Sequence, residues 1–79
     1  MIRDVRTRKL FGCRLNQVMG ELDVTDEQLA EALGLRRETV LRWRCGATTP
    51  GVDALIGIRN ELGVSIDWLL LGEGKKDAT

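Results

Sequence analysis

The sequence has no histidine, one proline and two cysteines among its 79 residues. Cys13 and Cys45 do not stand at the spacing of metal ligands, and there is no histidine to complete a set, so we expect no metal site. A nucleophile next to a base and a phosphate-binding glycine loop are absent too. The sequence therefore predicts neither an enzyme nor a cofactor, and the scarcity of proline among good helix formers favours an all-helical domain.

Long apolar runs are also missing. The longest, Trp68–Leu71, is far shorter than the roughly 20 residues of a membrane span. The basic N-terminus has no apolar stretch behind it, so the sequence predicts no signal peptide. Two thiols in such a chain fit a reducing compartment, and we expect a cytoplasmic protein. Cys13 and Cys45 are interpreted as small buried or half-buried residues, with a disulfide or a redox switch as the alternative.

A net charge of one sign is absent as well, because 12 basic residues balance 12 acidic ones. That sum argues at first against a nucleic-acid partner. The charges are unevenly distributed, however. Residues 1–20 hold five basic residues and one acidic, residues 21–35 hold five acidic residues and no basic one, and residues 36–50 hold four arginines and one glutamate. A neutral total can therefore conceal a basic face suited to nucleic acid.

Apolar side chains recur at intervals of three and four residues along most of the chain, which is the pattern of helices with one buried face. The predicted helices span about 8–21, 26–33, 36–44, 52–62 and 66–71. So short a chain has room for one domain. We place that domain at 8–74, with a basic arm at 1–7 before it and a flexible tail at 75–79 after it.

The second and third predicted helices are joined by a tight turn at Gly34, where a left-handed conformation costs little. Thr25 begins a capping-box pattern at the start of the second helix. Ala30 and Val40 are a small and a β-branched apolar residue, placed so that the two helices can cross closely and steeply. The segment Thr25–Gly46 is therefore predicted to be a helix-turn-helix, whose second helix fits a DNA major groove.

Three segments together resemble the lambda repressor-like family of helix-turn-helix proteins, which includes CI-type phage repressors and Cro proteins. They are Phe11–Leu15 in the first predicted helix, Leu29–Leu35 with Thr39, Val40, Trp43, Gly46 and Pro50 in the helix-turn-helix, and Leu62–Leu70 in the last two helices. Trp43–Arg44 and Leu71–Gly74 are most similar to the N-terminal domains of CI-type prophage repressors. The resemblance implies a compact, all-α, five-helix DNA-binding domain with the helix-turn-helix at helices 2 and 3.

The resemblance also implies a function. It is that of a sequence-specific transcriptional regulator, a phage or prophage repressor that binds double-stranded DNA as a homodimer on an operator of two half-sites, in the nucleoid of a bacterial host cell. No cofactor, small-molecule ligand or membrane partner is implied. Full repressors carry a further region after this domain, so we expect either a small stand-alone regulator or a separated N-terminal domain. The alternative is a protein-interaction module, such as an antitoxin or an inhibitor of a regulator, that keeps the fold with weak or no DNA binding.

By resemblance, the positions that contact bases fall on the second helix of the motif, the recognition helix. The candidate residues are Arg36, Arg37, Glu38, Leu41 and Arg42. An arginine can donate two hydrogen bonds to guanine and a glutamate can accept one from cytosine, so we expect G·C pairs in the half-site. Leu41 is either part of a packed rim or a contact for a thymine methyl group. The alternative for the charged residues is a solvated helix face with a Glu38–Arg42 ion pair.

Contacts to the DNA backbone are expected from the end of the recognition helix and from the basic N-terminal segment. The candidates are Arg44, the Gly46 amide, Thr48, Thr49, Arg8 and Lys9. For the two threonines the alternative is a loop made polar for solvation. Arg3 and Arg6 extend the basic segment, which either lies along phosphates or a minor groove, or is a disordered tail.

Several positions depart from the family pattern. Asp26 replaces the usual glutamine that touches a phosphate, so we expect it not to take that role. Many relatives pair a glutamate at the position of Arg44 with an arginine at the position of Met19. Both are changed here, which predicts a packed Met19 and an Arg44 free to face solvent or DNA. Arg36 replaces a common serine, so whether the recognition helix keeps a side-chain cap is left open by the sequence.

The last predicted helix is more apolar than so small a domain can cover. We expect one face of it to pack on the core and another to pair with a second copy of the chain, through Trp68, Leu69 and Leu71. The alternative is that all of the helix packs on the core.

Overall fold

Five helices form where the apolar spacing predicts them. The computed structural model describes residues 4–78, and the helices are α1 Val5–Leu22, α2 Asp26–Leu33, α3 Arg37–Arg44, α4 Val52–Leu62 and α5 Ile66–Leu71. The predicted all-α architecture of five helices is confirmed. Across residues 4–78, no helix has both the length and the apolar character needed to cross a membrane.

Each helix directs its apolar stripe into one shared core. The buried side chains are Phe11, Leu15, Val18 and Met19 from α1, Leu29 and Ala30 from α2, Val40 and Trp43 from α3, Ile58 from α4, Leu69 from α5, and Val64 from the loop between α4 and α5. In the described part of the chain, no polar or charged side chain is buried. Because α3 packs against both α1 and α2, its orientation depends on those two helices.

The turn between α2 and α3 follows the sequence pattern. Thr25 Oγ1 accepts a hydrogen bond from the Gln28 amide at 3.1 Å, and Gln28 Oε1 accepts one from the Thr25 amide at 2.9 Å, so the predicted capping box is present. Gly34 ends α2 with a φ of +70°, a left-handed conformation that favours glycine. The Leu35 amide donates to the Ala30 carbonyl at 2.8 Å, which closes the end of α2 before the chain enters α3.

The first helix begins earlier than predicted. Asp4 is its N-cap and accepts a hydrogen bond from the Arg6 amide at 2.9 Å, so α1 starts at Val5 rather than near residue 8. Arg6 therefore lies on α1, and the prediction of a basic arm is wrong for residues 4–7. Arg3, also assigned to that arm, lies outside the described residues.

The C-terminal residues are paired with the rest of the domain. Antiparallel backbone hydrogen bonds of 2.7 and 2.8 Å join residues 63–65 to residues 76–78. In addition, Lys76 Nζ lies 2.6 Å from Glu21 Oε1 on α1. The prediction of a flexible tail is therefore wrong for residues 76–78, and Thr79 lies outside the described residues.

The Glu21–Lys76 ion pair predicts a pH-dependent contact. The Lys76 ammonium, with help from the Gln17 side chain, lowers the pKa of the exposed Glu21 carboxyl below its ordinary value. Because the folded-state pKa is lowered, the stabilisation from this pair is present above the pKa of an unfolded glutamate and is lost as the pH falls through the folded-state pKa. Lys76→Ala should raise the Glu21 pKa, measured by NMR titration of its carboxyl carbon. Lys75→Ala is the matched control and should leave that pKa unchanged, whereas an unchanged pKa in Lys76→Ala would mean that the pair does not persist in solution.

Candidate nucleic-acid interface

Helix α3 is fixed to the core by two side chains on one of its faces. Val40 is fully buried and Trp43 is almost so. Because these residues lie three positions apart, the remaining faces of α3 point away from the core. The exposed residues on and next to these faces are Arg36, Arg37, Glu38 and Arg42. We call these four residues the recognition surface. Leu41, the fifth predicted base contact, is half-buried, so part of its side chain is packed and part can face a base.

The charged side chains of the recognition surface form almost no ion pairs with other residues of the protein. Arg37 Nε lies 4.0 Å from Glu27 Oε1, and the two side chains are 53% and 79% exposed. An exposed pair of this kind contributes at most about 1 kcal/mol. Arg36, Glu38 and Arg42 form no ion pair with any residue in the range 4–78, so the alternative Glu38–Arg42 pair does not form.

Helix α3 also starts without a side-chain cap. Arg36 occupies the N-cap position in an extended conformation, and its side chain accepts no hydrogen bond from the first turn. The sequence left the cap of this helix open, and the structure shows that no side chain caps it. The Thr39 amide of this first turn donates to the Arg36 carbonyl at 3.1 Å. The first two amides of a helix have no partner inside it, so those of Arg37 and Glu38 can donate to an acceptor from outside the protein, and phosphate oxygens are acceptors that a helix N-terminus favours.

The loop after α3 turns its amides towards the helix. The Gly46 amide donates to the Trp43 carbonyl at 3.3 Å, and Gly46 is buried against Lys9. The Gly46 amide already has this acceptor within the protein, so it is not free to donate to a phosphate as predicted. The Thr48 amide donates to a carbonyl of α3 at 3.3 Å, whereas Thr48 as a residue is exposed and Thr49 is half-buried. The hydroxyl groups of Thr48 and Thr49 can therefore still meet a phosphate, whereas the Gly46 and Thr48 amides already donate within the protein.

Two basic residues of α1 lie beside the same loop. Arg8 Nε donates a hydrogen bond to the Gly46 carbonyl at 3.0 Å, which ties the loop to α1. Lys9 packs its stem on Gly46 and is exposed. The structure thus brings Arg8 and Lys9, predicted from the sequence as phosphate contacts, next to the loop that carries Thr48 and Thr49.

Arg44 has partners within the protein. Its guanidinium forms an ion pair with Asp26 at the start of α2 and a hydrogen bond with Asn16 on α1. The Arg44 and Asp26 side chains are only 29% and 15% exposed. The prediction that Arg44 is free to face solvent or DNA is therefore wrong. Met19, at the other changed position, is buried as predicted.

Helix α5 exposes less apolar surface than predicted. Leu69 is fully buried in the core, so its predicted place in a dimer interface is wrong. Trp68 is half-buried and packs against the core. Leu71 is 61% exposed and remains available for a contact with another molecule.

Sequence reasoning missed a groove between α2 and α4 that is lined by both apolar and polar residues, the latter being Asp53, Asn60 and Glu61. The groove has a volume of about 590 Å³, and its lining includes Leu35 and Val52, both exposed. Ile56, one turn after Val52 on α4, is exposed as well. Ile56 does not line the groove, so the spacing of four residues between Val52 and Ile56 could have indicated only an exposed apolar stripe of α4 beside it, and Leu55 and Ile58 in the same helix hide that pattern.

Both cysteines are exposed and neither forms a disulfide. The interpretation of Cys13 and Cys45 as buried or half-buried residues is therefore wrong. Cys45 follows the last residue of α3, and its thiol lies 3.5 Å from the Arg42 carbonyl oxygen.

Transcriptional regulators of bacteria are similar to this chain in sequence. The HTH-type transcriptional regulator YqaE of Bacillus subtilis is 31% identical over 67 residues, which covers 85% of this chain and 58% of that protein. The HTH-type transcriptional regulator PrtR of Pseudomonas aeruginosa is 39% identical over 64 residues, which covers 81% of this chain and 25% of PrtR. The chain therefore spans only part of the length of these relatives.

Solved structures and a family model extend the comparison. The P22 c2 repressor, in complex with a synthetic operator, matches with a TM-score of 0.77 and 25% identity over 81% of this chain and 97% of that one. A transcriptional regulator from Listeria innocua matches with a TM-score of 0.72 and 29% identity, over 84% of this chain and 61% of that one. The model of the bacteriophage CI repressor helix-turn-helix domain matches residues 14–77, which is most of the chain. As the sequence resemblance predicts, the chain belongs to the family of bacteriophage CI repressor helix-turn-helix domains.

Proposed function

We propose that this chain binds double-stranded DNA in a sequence-specific manner and regulates transcription as a repressor of the phage or prophage type. One observation carries the proposal. Helix α3 is fastened by Val40 and Trp43, while the recognition surface is exposed and almost free of internal ion pairs. A helix presented in this way fits the major groove, which is roughly 12 Å wide. The P22 c2 repressor, which has a similar fold, binds an operator.

Each residue of the recognition surface has a proposed partner on the DNA. Arg37 and Arg42 donate paired hydrogen bonds to guanine O6 and N7, and Glu38 accepts one from a cytosine amino group. Arg36 contacts a base at the N-terminal end of α3, and the exposed part of Leu41 contacts a thymine methyl group. The half-site should therefore contain G·C pairs.

The proposed phosphate ligands are Lys9, Thr48 and Thr49, which fix the register of α3 in the groove. Arg8 holds the loop that carries the two threonines through the Gly46 carbonyl. The proposed function is one of binding, with no catalytic step, in the cytoplasm of a bacterial host cell.

A salt titration tests the proposal. Selection from a random duplex pool supplies the best site, and fluorescence anisotropy then measures Kd between about 50 and 200 mM salt. If Lys9 of each of two copies neutralises one phosphate, the slope of log K against log salt is about −1.8, and affinity falls about tenfold over this range. Further cationic contacts make the fall steeper. Binding that does not depend on salt, or a pool in which no duplex is enriched, would contradict the proposal.

We further propose that two copies bind together, on half-sites about 34 Å apart. Leu71, with Trp68 beside it, is the proposed contact, because it is the most exposed apolar side chain of α5. Leu71→Asp should weaken self-association at least tenfold in sedimentation experiments, since a carboxylate would be desolvated in the contact. Val5→Asp changes an exposed apolar residue on α1 and should not weaken it. Dissociation by Val52→Asp but not by Leu71→Asp would move the contact to the groove between α2 and α4.

That groove supports a second candidate function, a protein-interaction module such as an antitoxin or an inhibitor of a regulator. The exposed Leu35 and Val52 at its border suit an apolar partner, and the neutral total charge fits this candidate. The recognition surface favours DNA binding instead. A mobility-shift assay with selected duplex separates the two, since only the DNA-binding function predicts a shifted band.

A further inference from the structure

Arg44 joins three helices at one point. It is the last residue of α3, and its guanidinium donates to Asp26 Oδ1 at the first residue of α2 and to Asn16 Oδ1 on α1. The Asn16 side-chain amide donates in turn to the Arg44 carbonyl at 3.4 Å. We call Asn16, Asp26 and Arg44 the clamp. It holds both the side chain and the main chain at the C-terminal end of α3.

The clamp lies at the better-fixed end of the recognition helix. Beside it, α1 approaches so closely at Gly12 that a Cβ there would lie 2.5 Å from the Arg44 carbonyl oxygen. The other end of α3 has no side-chain cap. An eight-residue helix is about 12 Å long, so a tilt of about 5° at the clamp moves the far end by about 1 Å. Hydrogen bonds to base edges span a range of only about 0.5 Å, so a shift of this size would break them.

The clamp also pairs the positive charge of Arg44 with the negative charge of Asp26. Asp26 lies at the N-terminus of α2, where the helix dipole favours a carboxylate. The two side chains are opposite in charge and largely shielded, at 29% and 15% exposed. Because the pair is neutral as a unit, it has no net charge with which to displace counterions from DNA.

We infer that Arg44 is a positioning residue, which sets the tilt of α3 on DNA through Asp26 and Asn16, and that it is not itself a DNA ligand. This inference rests on the proposed function, DNA binding by the recognition surface. It replaces the phosphate contact that the sequence predicted for Arg44.

The test compares Arg44→Met, Asp26→Ala and the double variant, with Arg59→Met and Asp53→Ala as controls. Both control residues are exposed on α4, and Asp53 stands in the first turn of its helix, as Asp26 does. The probes are the duplex selected with the wild-type chain and the same duplex with one G·C pair of the half-site changed to A·T. Kd is measured for both duplexes over a range of salt concentrations.

Each single variant should weaken binding about tenfold and lower the ratio of the two affinities at least about threefold. The double variant removes both charges of the pair, so it should keep the wild-type salt slope. Because Arg44 and Asp26 act through one contact, the double variant should be no weaker than the weaker single variant. Arg44→Lys keeps a positive charge beside Asp26, so it should restore part of the ratio between the affinities for the two duplexes. A purely structural role would lower the melting temperature without changing the affinity ratio of the folded chain. If Arg44→Met does not fold, Asp26→Ala still decides the outcome.

Two results would overturn the inference. One is a salt slope shallower by about 0.9 per copy in Arg44→Met together with tighter binding by Asp26→Ala, which would identify Arg44 as a phosphate ligand. The other is wild-type affinity and ratio in every variant. A wild-type chain that binds no duplex would instead refute the proposed function, and the inference with it.

Discussion

Gly12→Ala is expected to destabilise the fold by about 3 kcal/mol, the upper end of the usual cost of overpacking. Gly12 lies where α1 meets the end of α3, and an added Cβ would stand 2.5 Å from the Arg44 carbonyl oxygen and 2.8 Å from that of Trp43. Both atoms belong to the backbone, so no side-chain rotation can relieve the contact. The two helices would have to separate, and the core between them would open. Urea unfolding followed by circular dichroism measures the loss.

Gly20→Ala is the matched control, because it is the same substitution in the same helix. A Cβ at Gly20 would have no atom within 4 Å, so only the gain in helix propensity remains. That gain should stabilise the protein by about 0.5–1 kcal/mol. The two variants should therefore shift the urea midpoint in opposite directions. A Gly12→Ala variant that is as stable as Gly20→Ala would show that α1 and α3 are not in close contact in solution.

The helices could be predicted from the sequence because their signals are local. Spacings of three and four residues and the cap at Thr25 involve residues near one another in the chain, and α2, α4 and α5 have the predicted bounds. The start of α1 could not be predicted in this way, since its cap, Asp4, precedes charged residues without apolar spacing. Residues 76–78 are held chiefly by main-chain hydrogen bonds, which leave no pattern in the side chains.

In the candidate site too, features that depend on one helix could be predicted from the sequence, and contacts between helices could not. The recognition surface could be predicted because two core residues on one helix determine which faces point outward. The partner of Arg44 could not, since Asp26 belongs to another helix and the pair depends on how α2 and α3 cross. The prediction that Leu69 lies in a dimer interface was wrong for a related reason. Four consecutive apolar residues do not indicate which of them a short helix buries, so periodicity cannot separate Leu69 from Leu71.

Arg42→Ala is expected to weaken binding to the selected duplex by roughly 1–3 kcal/mol for each half-site, about 5- to 150-fold per bound copy, while the fold stays intact. Arg42 is exposed and forms no ion pair with the other residues from 4 to 78. Its carbonyl accepts a hydrogen bond from the Ala47 amide at 2.9 Å, and alanine retains that contact. The loss in binding free energy should therefore come from the missing contact between Arg42 and DNA. The melting temperature of the variant should stay close to that of the wild type.

The loss in Arg42→Ala should also depend on the DNA sequence. If Arg42 binds one guanine, replacing that G·C pair weakens the wild-type chain but leaves the variant unchanged, so the two chains converge on the altered duplex. Arg59→Ala removes an exposed arginine from α4 and should retain the wild-type preference. Equal weakening on every duplex, with a salt slope shallower by about 0.9 per copy, would instead make Arg42 a phosphate ligand. Base discrimination would then depend on Arg37 and Glu38, the remaining residues of the recognition surface with a proposed G·C partner.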